Sequence, residues 1–208
     1  MVADPPTRPT SRFERPADEV QVDVDAHLRS CPTAATTRGT FFQFVADLVE
    51  REHRSPAPSP THGLSRRHWV PWNSYPLADF MRLAVDAARL LHRDRPLGEG
   101  LRRLGRMAYP SFAATMAGRV VLYAFGDDID AMMQAVPRAY AVSLSHAVAS
   151  SRRIEPRRWE VRMQNVYNFA DTYHLGVIEG ALVARGVEPD VRLRKCARLC
   201  DIDFDVRW

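Results

Sequence analysis

Apolar residues recur at helical spacing in several segments between Thr40 and Val136 and at every second position in several segments from Tyr140 onward. One stretch stands apart, Phe112 to Phe125, whose apolar circumference is broken only by Thr115, Gly118 and Arg119. A helix that is apolar nearly all round must be covered on several sides, and this one is shorter than the roughly 20 residues that a bilayer span takes. The pattern therefore predicts a central helix over Pro110 to Gly126, inside a folded domain.

Other helices are predicted around it. Phe41, Phe44, Val45 and Leu48 form one apolar stripe within Thr40 to His53. Leu77 to His92 carries Phe80, Met81, Ala84, Val85, Ala88 and Leu91 at the same spacing, with Pro76 suited to a first turn. Pro96 to Arg106 turns its leucines inward and Arg102, Arg103 and Arg106 toward solvent, with Gly105 marking its end. Asp127 to Val136 reads as a further helical segment. Between the first two lie a proline-rich loop, Ser55 to Gly63, and an aromatic group (Trp69, Trp72, Tyr75) read as the edge of the core. Met1 to Arg38 is rich in proline and charge and poor in large apolar residues, so residues 1–38 are expected to be a disordered tail and 39–208 a single domain.

The period then changes to two. Tyr140 to His146 and Trp159 to Met163 alternate as half-buried strands, with a polar Arg-rich connection from Ala147 to Pro156. Helix returns over Val166 to Ala184, and Val191 to Arg194 with Ile202 to Trp208 reads as a terminal antiparallel hairpin. In that hairpin basic outer residues on one strand face acidic ones on the other. Helices first and strands later give an α+β fold: a helical N-terminal half packed on a four-stranded antiparallel sheet, with a late crossover helix.

Composition narrows the function classes. The 208 residues are 46% hydrophobic, enough for one sizeable core. No leader or membrane segment is legible, so a cytoplasmic protein is expected. The net charge of +4 comes almost wholly from arginine interleaved with acids, a mixed surface that does not predict nucleic-acid binding. Cys31, Cys196 and Cys200 are an odd number, which argues against a disulfide framework. Cys196-x3-Cys200 lacks the ligand spacing of a zinc site, and the seven histidines show no paired metal motif, so no metal is expected. Asp171 and His174, one helical turn apart, could orient each other, but no nucleophile accompanies them and no enzyme is predicted. Gly176 and Gly180 form a small-residue ridge suited to close helix packing. Phe112, Met116, Tyr123, Tyr140 and Tyr173 are placed on the interior between the central helix and the sheet, lining a mixed apolar and polar pocket for a ligand or else an ordinary core.

Several segments carry a resemblance: YPLADFMRLAVDAARLLH (Tyr75 to His92), PLGEGLRRLGR (Pro96 to Arg106), TMAGRVV (Thr115 to Val121), GVIEGAL (Gly176 to Leu182) and FDVRW (Phe204 to Trp208). They resemble a paralogous family of uncharacterised proteins of about 200 residues from myxobacteria. The order of elements is also similar to the superfamily joining haem-nitric-oxide-binding domains, four-vinyl-reductase ligand domains and small subunits of a vesicle-tethering complex. In the haem domains that likeness would place an axial histidine where Tyr140 stands, and no Tyr-x-Ser-x-Arg motif is present, so no haem or other cofactor is expected. In the zinc-containing relatives Cys196 falls near one ligand position, while Leu193 and Phe204 stand at others. The resemblance implies a non-enzymatic cytoplasmic module that binds a small, largely apolar ligand in a sensing or regulatory role. The alternative is a protein-interaction or homodimerisation scaffold with a filled core and no ligand.

Overall fold

The computed structural model describes residues 12–17, 20–53, 69–114 and 128–208, the side chains of 112–114 excepted. Most of the expected central helix thus lies outside the described residues, as do Met116 and Tyr123.

Short elements open the fold. Helix α1 (Val24–Ser30) starts at Asp23, whose side chain accepts a hydrogen bond from the Ala26 amide at 2.9 Å. Strand β1 (Thr36–Arg38) pairs antiparallel with β2 (Ser74–Pro76). The ordered structure therefore reaches well into the stretch expected to be a disordered tail. Its apolar residues are few but well placed: Ala35 is buried, and Val22, Val24 and Leu28 pack on the core. The backbone supplies the rest, with the Ala35 carbonyl accepting from Leu77 N and the Thr36 carbonyl from Ser145 N.

Helix α2 (Gly39–His53) and helix α3 (Leu77–Leu91) follow the apolar stripes, although in α2 it is Phe42 that is fully buried, with Val45, Leu48 and Val49. Trp69 stacks on Phe42 at 5.3 Å while Trp72 remains exposed, so only part of the aromatic group edges the core. Helix α4 (Leu97–Ala114) runs without a break past Gly105 and through Pro110. Neither residue ends it: burial of Leu101, Leu104 and Ala108 on one face outweighs the hydrogen bond a proline forfeits.

Helix α5 (Ile129–Ser143) likewise passes through Pro137, and it takes in most of the first expected strand, Tyr140 included. The strand instead occupies the expected connection, as β3 (Val148–Glu155), paired with β4 (Arg158–Gln164). The alternation over 140 to 146 is equally compatible with one helical face, since Tyr140 and Leu144 are four residues apart and both buried. After α6 (Tyr173–Val183) come β5 (Asp190–Lys195) and β6 (Ile202–Arg207), completing a four-stranded antiparallel sheet of order β3-β4-β6-β5. The anticipated charge register is present: Arg192 lies opposite Asp205 and Arg194 opposite Asp203. The sheet's other face sends Trp159, Val161, Met163, Phe204 and Val206 into the core. The α+β architecture read from the sequence is thus the observed one.

The closest element contact is between α4 and α6, and it is made by glycines. A Cβ on Gly105 would sit 2.0 Å from the Tyr173 carbonyl oxygen, one on Gly176 2.0 Å from that of Arg102, and one on Gly180 2.2 Å from that of Arg106. The small-residue ridge is a backbone-to-backbone seam inside the domain.

Two outcomes follow from this packing. Removing everything before Gly39 deletes β1, the Ala35 and Thr36 carbonyl bonds and the α1 contacts. The thermal midpoint is expected to fall by about 10 °C or more, at roughly 2–4 °C per kcal/mol for a domain of this size. An unchanged midpoint would show that the segment is dispensable. Gly176→Ala is expected to destabilise by about 1–3 kcal/mol in urea unfolding, against the roughly 1 kcal/mol that alanine gains over glycine in an open helix. A stabilised variant would contradict the seam.

Candidate functional site

The stretch from Val166 to Thr172 was expected to be helical and is instead a tight turn leading into α6. Asn165 has φ 58° and Phe169 φ 61°. A bulky residue in the left-handed region costs on the order of 1–3 kcal/mol and persists only where its surroundings fix it. Here Phe169 is buried, its ring lies 5.0 Å from that of His27, and its carbonyl accepts from Thr172 N and His174 N. His27 Nδ1 donates to the Tyr167 carbonyl at 3.2 Å, so α1 clamps the turn.

The turn delivers His174 to the side of α5. Its Nδ1 lies 2.8 Å from the Tyr140 hydroxyl, with the two rings 5.4 Å apart. Tyr173 stands edge-on to His174 at 5.2 Å and edge-on to Phe80 of α3 at 5.7 Å. All three polar side chains are buried. Burial pushes the His174 imidazole down to about 3, and it raises Tyr140, with Tyr173 adding to the effect, and Tyr173 itself. At neutral pH the site therefore holds an uncharged imidazole and two protonated phenols. His174 Nε2 is buried without a hydrogen-bond partner, and so are Thr172 Oγ1 and Asn168 Oδ1, all within one short segment. Leaving such a group unpaired costs about 1–3 kcal/mol.

A second cluster lies along the α4–α6 seam. The buried Glu179 carboxylate accepts from Arg102 Nε at 2.9 Å, from Arg102 Nη2, and from Arg106 Nε at 2.8 Å. Burial alone would raise this carboxyl, but the two guanidinium groups outweigh it and hold it below its usual range. Arg102 and Arg106, expected to be a solvated face, are thus joined to the neighbouring helix. Arg103 binds Glu99 within α4 at 2.7 Å.

The structure brings Tyr140 and Tyr173 together on two sides of His174. Phe112 sits in the last turn of α4, its side chain outside the description along with all of Met116 and Tyr123. Asp171 does not orient His174; it pairs with Lys195 at 2.8 Å. His174, Thr172 and Asn168 were not singled out as pocket residues. Their signal in the sequence is faint: one histidine and two small polar residues inside an otherwise apolar run. Cys196 and Cys200 lie in the connection between β5 and β6, and all three cysteines are free thiols.

The depressed His174 has a consequence for stability. Above pH 6.5, the ordinary histidine value, folded and unfolded chains are both neutral at this position. Between about 6.5 and 3 the unfolded chain takes up a proton that the folded one refuses, so stability falls as pH falls, by up to about 1.4 kcal/mol per unit. Between pH 7 and 5 the wild type is expected to lose about 2 kcal/mol more than His174→Gln in urea unfolding. Equal losses in the two proteins would show that His174 is not held neutral.

Comparison with known proteins places the chain. Among curated protein sequences none matches. Solved structures of H-NOX proteins share the fold. An H-NOX protein from S. oneidensis in its Fe(II)NO ligation state is 12% identical, with a TM-score of 0.62 over 82% of this chain and 98% of that one. The Shewanella oneidensis H-NOX domain in its Fe(II)CO state gives 13% identity and a TM-score of 0.63, covering 82% of this chain and 97% of that domain. The Fe(II) unliganded protein from K. algicida gives 12% and 0.52, covering 82% and 95%. At such identities the likeness concerns the fold alone. Residues 32–208 match a family described as proteins of unknown function, DUF2378, and with most of its length inside that match the chain belongs to this family.

Proposed function

We propose that this protein is a non-enzymatic sensory module that binds a small, largely apolar ligand beside the Tyr140–His174 pair. The single observation that carries the reading is His174 Nε2, buried and unpartnered while Nδ1 is tied to Tyr140. A ligand with one polar atom would satisfy that nitrogen, and its apolar remainder would pack against the aromatic walls, as ligand pockets generally combine the two. Tyr140 and Tyr173 serve as walls in this reading, and Phe112, Met116 and Tyr123, assigned to the interior by the sequence pattern, belong to the same proposed pocket. The fold shared with H-NOX domains supports a sensing role, and a cytoplasmic location and a single folded domain are part of the same proposal.

An iron porphyrin does not fit the residues present. Tyr140 occupies the position where the resemblance calls for an axial histidine, and its hydroxyl is engaged with His174. Ligation by tyrosine uses the phenolate, whereas burial here favours the protonated phenol. Among the described residues no group of three or more histidines, cysteines or acids is gathered to hold a metal ion.

The test is native mass spectrometry of the full chain purified from its own host. A bound mass of small-molecule size is expected in the wild type. It should be lost from a folded His174→Phe variant, whose Nε2 is gone, and weakened in Tyr140→Phe. A chain that carries no added mass as a monomer, or forms a dimer without one, would overturn the reading and favour the scaffold.

A further inference from the structure

We infer, building on the ligand reading above, that the molecule bound beside the Tyr140–His174 pair is an uncharged carbonyl compound, a ketone, aldehyde or ester, whose oxygen accepts a hydrogen bond from His174 Nε2. The protein donates in this contact and the ligand accepts.

The direction follows from where the protons of the buried pair must sit. A neutral imidazole carries one proton, on Nδ1 or on Nε2, whereas a phenol can both donate and accept. The Tyr140 hydroxyl and His174 Nδ1 lie 2.8 Å apart, and among the described residues each is the other's only hydrogen-bond partner. A phenol is the more acidic donor of the two groups, and an imidazole nitrogen is the more basic acceptor. With the phenol donating, the stronger donor meets the stronger acceptor, and the one atom left unpartnered is Nε2 with its hydrogen. The reverse bond would leave both the phenolic hydrogen and an imidazole lone pair buried and unpaired. Burial holds the two groups uncharged, His174 down to about 3 and Tyr140 above its ordinary value, so neither an imidazolium nor a phenolate competes with this arrangement. His27 is the opposite case in the same fold. Its Nδ1 faces the Tyr167 carbonyl at 3.2 Å, a group that only accepts, so there Nδ1 carries the proton.

The ligand class follows from the tautomer. A carbonyl oxygen is the complement of a lone N–H donor. Amine hydrogens and metal ions call for a lone pair, which a protonated Nε2 does not offer. A carboxylate also accepts, but the rings described around His174, Tyr140 at 5.4 Å and Tyr173 at 5.2 Å, bring it no counter-charge. The same rings offer apolar surface to the remainder of the molecule. Thr172 Oγ1 and Asn168 Oδ1, the other unpartnered atoms of the segment, make no bond to Nε2 and leave its proton where the phenol puts it.

The experiment is long-range proton–nitrogen NMR of the full chain labelled in its histidine nitrogens. His174 is assigned through the Tyr173 ring protons and His27 through those of Phe169. His174 is expected to show a protonated Nε2 and a bare Nδ1, and His27 a protonated Nδ1. The same sample is then titrated with cyclohexanone and with methylenecyclohexane, its hydrocarbon isostere. Cyclohexanone should shift the Nε2 proton saturably and bind about tenfold tighter than the hydrocarbon, a preference absent from His174→Phe. A His174 proton on Nδ1 would overturn the carbonyl assignment and leave the ligand reading standing, with a donor as the ligand. Equal affinity for the two probes, or binding of neither, would overturn the assignment as well. Whether the chain carries any ligand is decided separately, by the bound mass in native spectrometry.

Discussion

Most of the architecture depends on the distance of closest approach between α4 and α6. Where side chains separate two helices their axes stay about 8–10 Å apart, but Gly105, Gly176 and Gly180 let backbone meet backbone. That contact fixes three things at once. It sets the register of α6, and with it the direction in which Tyr173 and His174 leave the helix. It brings Glu179 under the arginines of α4. And it leaves the apolar faces of α3 and the sheet to complete one continuous core with the two helices. The glycine residues are costly in a helix, and the seam is the physical reason for their presence.

A shared fold and a low sequence identity are compatible here. The H-NOX architecture is held by layer packing, in which helices cover the apolar face of a sheet, and many interiors satisfy that requirement. What this chain places between α5 and α6 is a neutral hydrogen-bonded Tyr–His pair with an open valence for one more polar contact. Such a pair is tied on one side through Nδ1 and unsatisfied on the other at Nε2.

The legible and illegible parts of the sequence divide along physical lines. The stripes of α2 and α3, the terminal hairpin and the cross-strand partners Arg192–Asp205 and Arg194–Asp203 follow from local periodicity, and the fold class follows from their order. The glycine ridge was readable because Gly176 and Gly180 recur at one-turn spacing. Three features were not legible. Tyr140 and Leu144 satisfy both a strand and a helix pattern, and only the packing of α5 decides between them. The turn at Phe169 violates local preference and is stabilised from far away in the chain, by His27. The short elements before Gly39 gain their stability from backbone bonds to β2 and to Ser145, which composition does not encode. Of the five candidate pocket residues, only Tyr140 and Tyr173 can be located by side chain, and the histidine between them gave no periodic signal.

The pairing of Glu14 with Leu193 bears on how the molecule meets other chains. Glu14 N donates to the Leu193 carbonyl, and Leu193 N to that of Glu14, both at 2.8 Å, while Phe13 lies under the Arg194 guanidinium at 4.4 Å. Phe13 and Glu14 thereby cover the outer edge of β5 at Leu193 and Arg194. The opposite edge, β3, carries a register irregularity between Arg153 and Glu155 and the exposed guanidinium groups of Arg152 and Arg153, features that discourage edge-to-edge association. An antiparallel sheet left open at both ends would template its own aggregation. Here Glu14 covers one edge at Leu193 and the other edge is uneven and bears exposed charged side chains, features that disfavour growth of the sheet between molecules without closing it into a barrel.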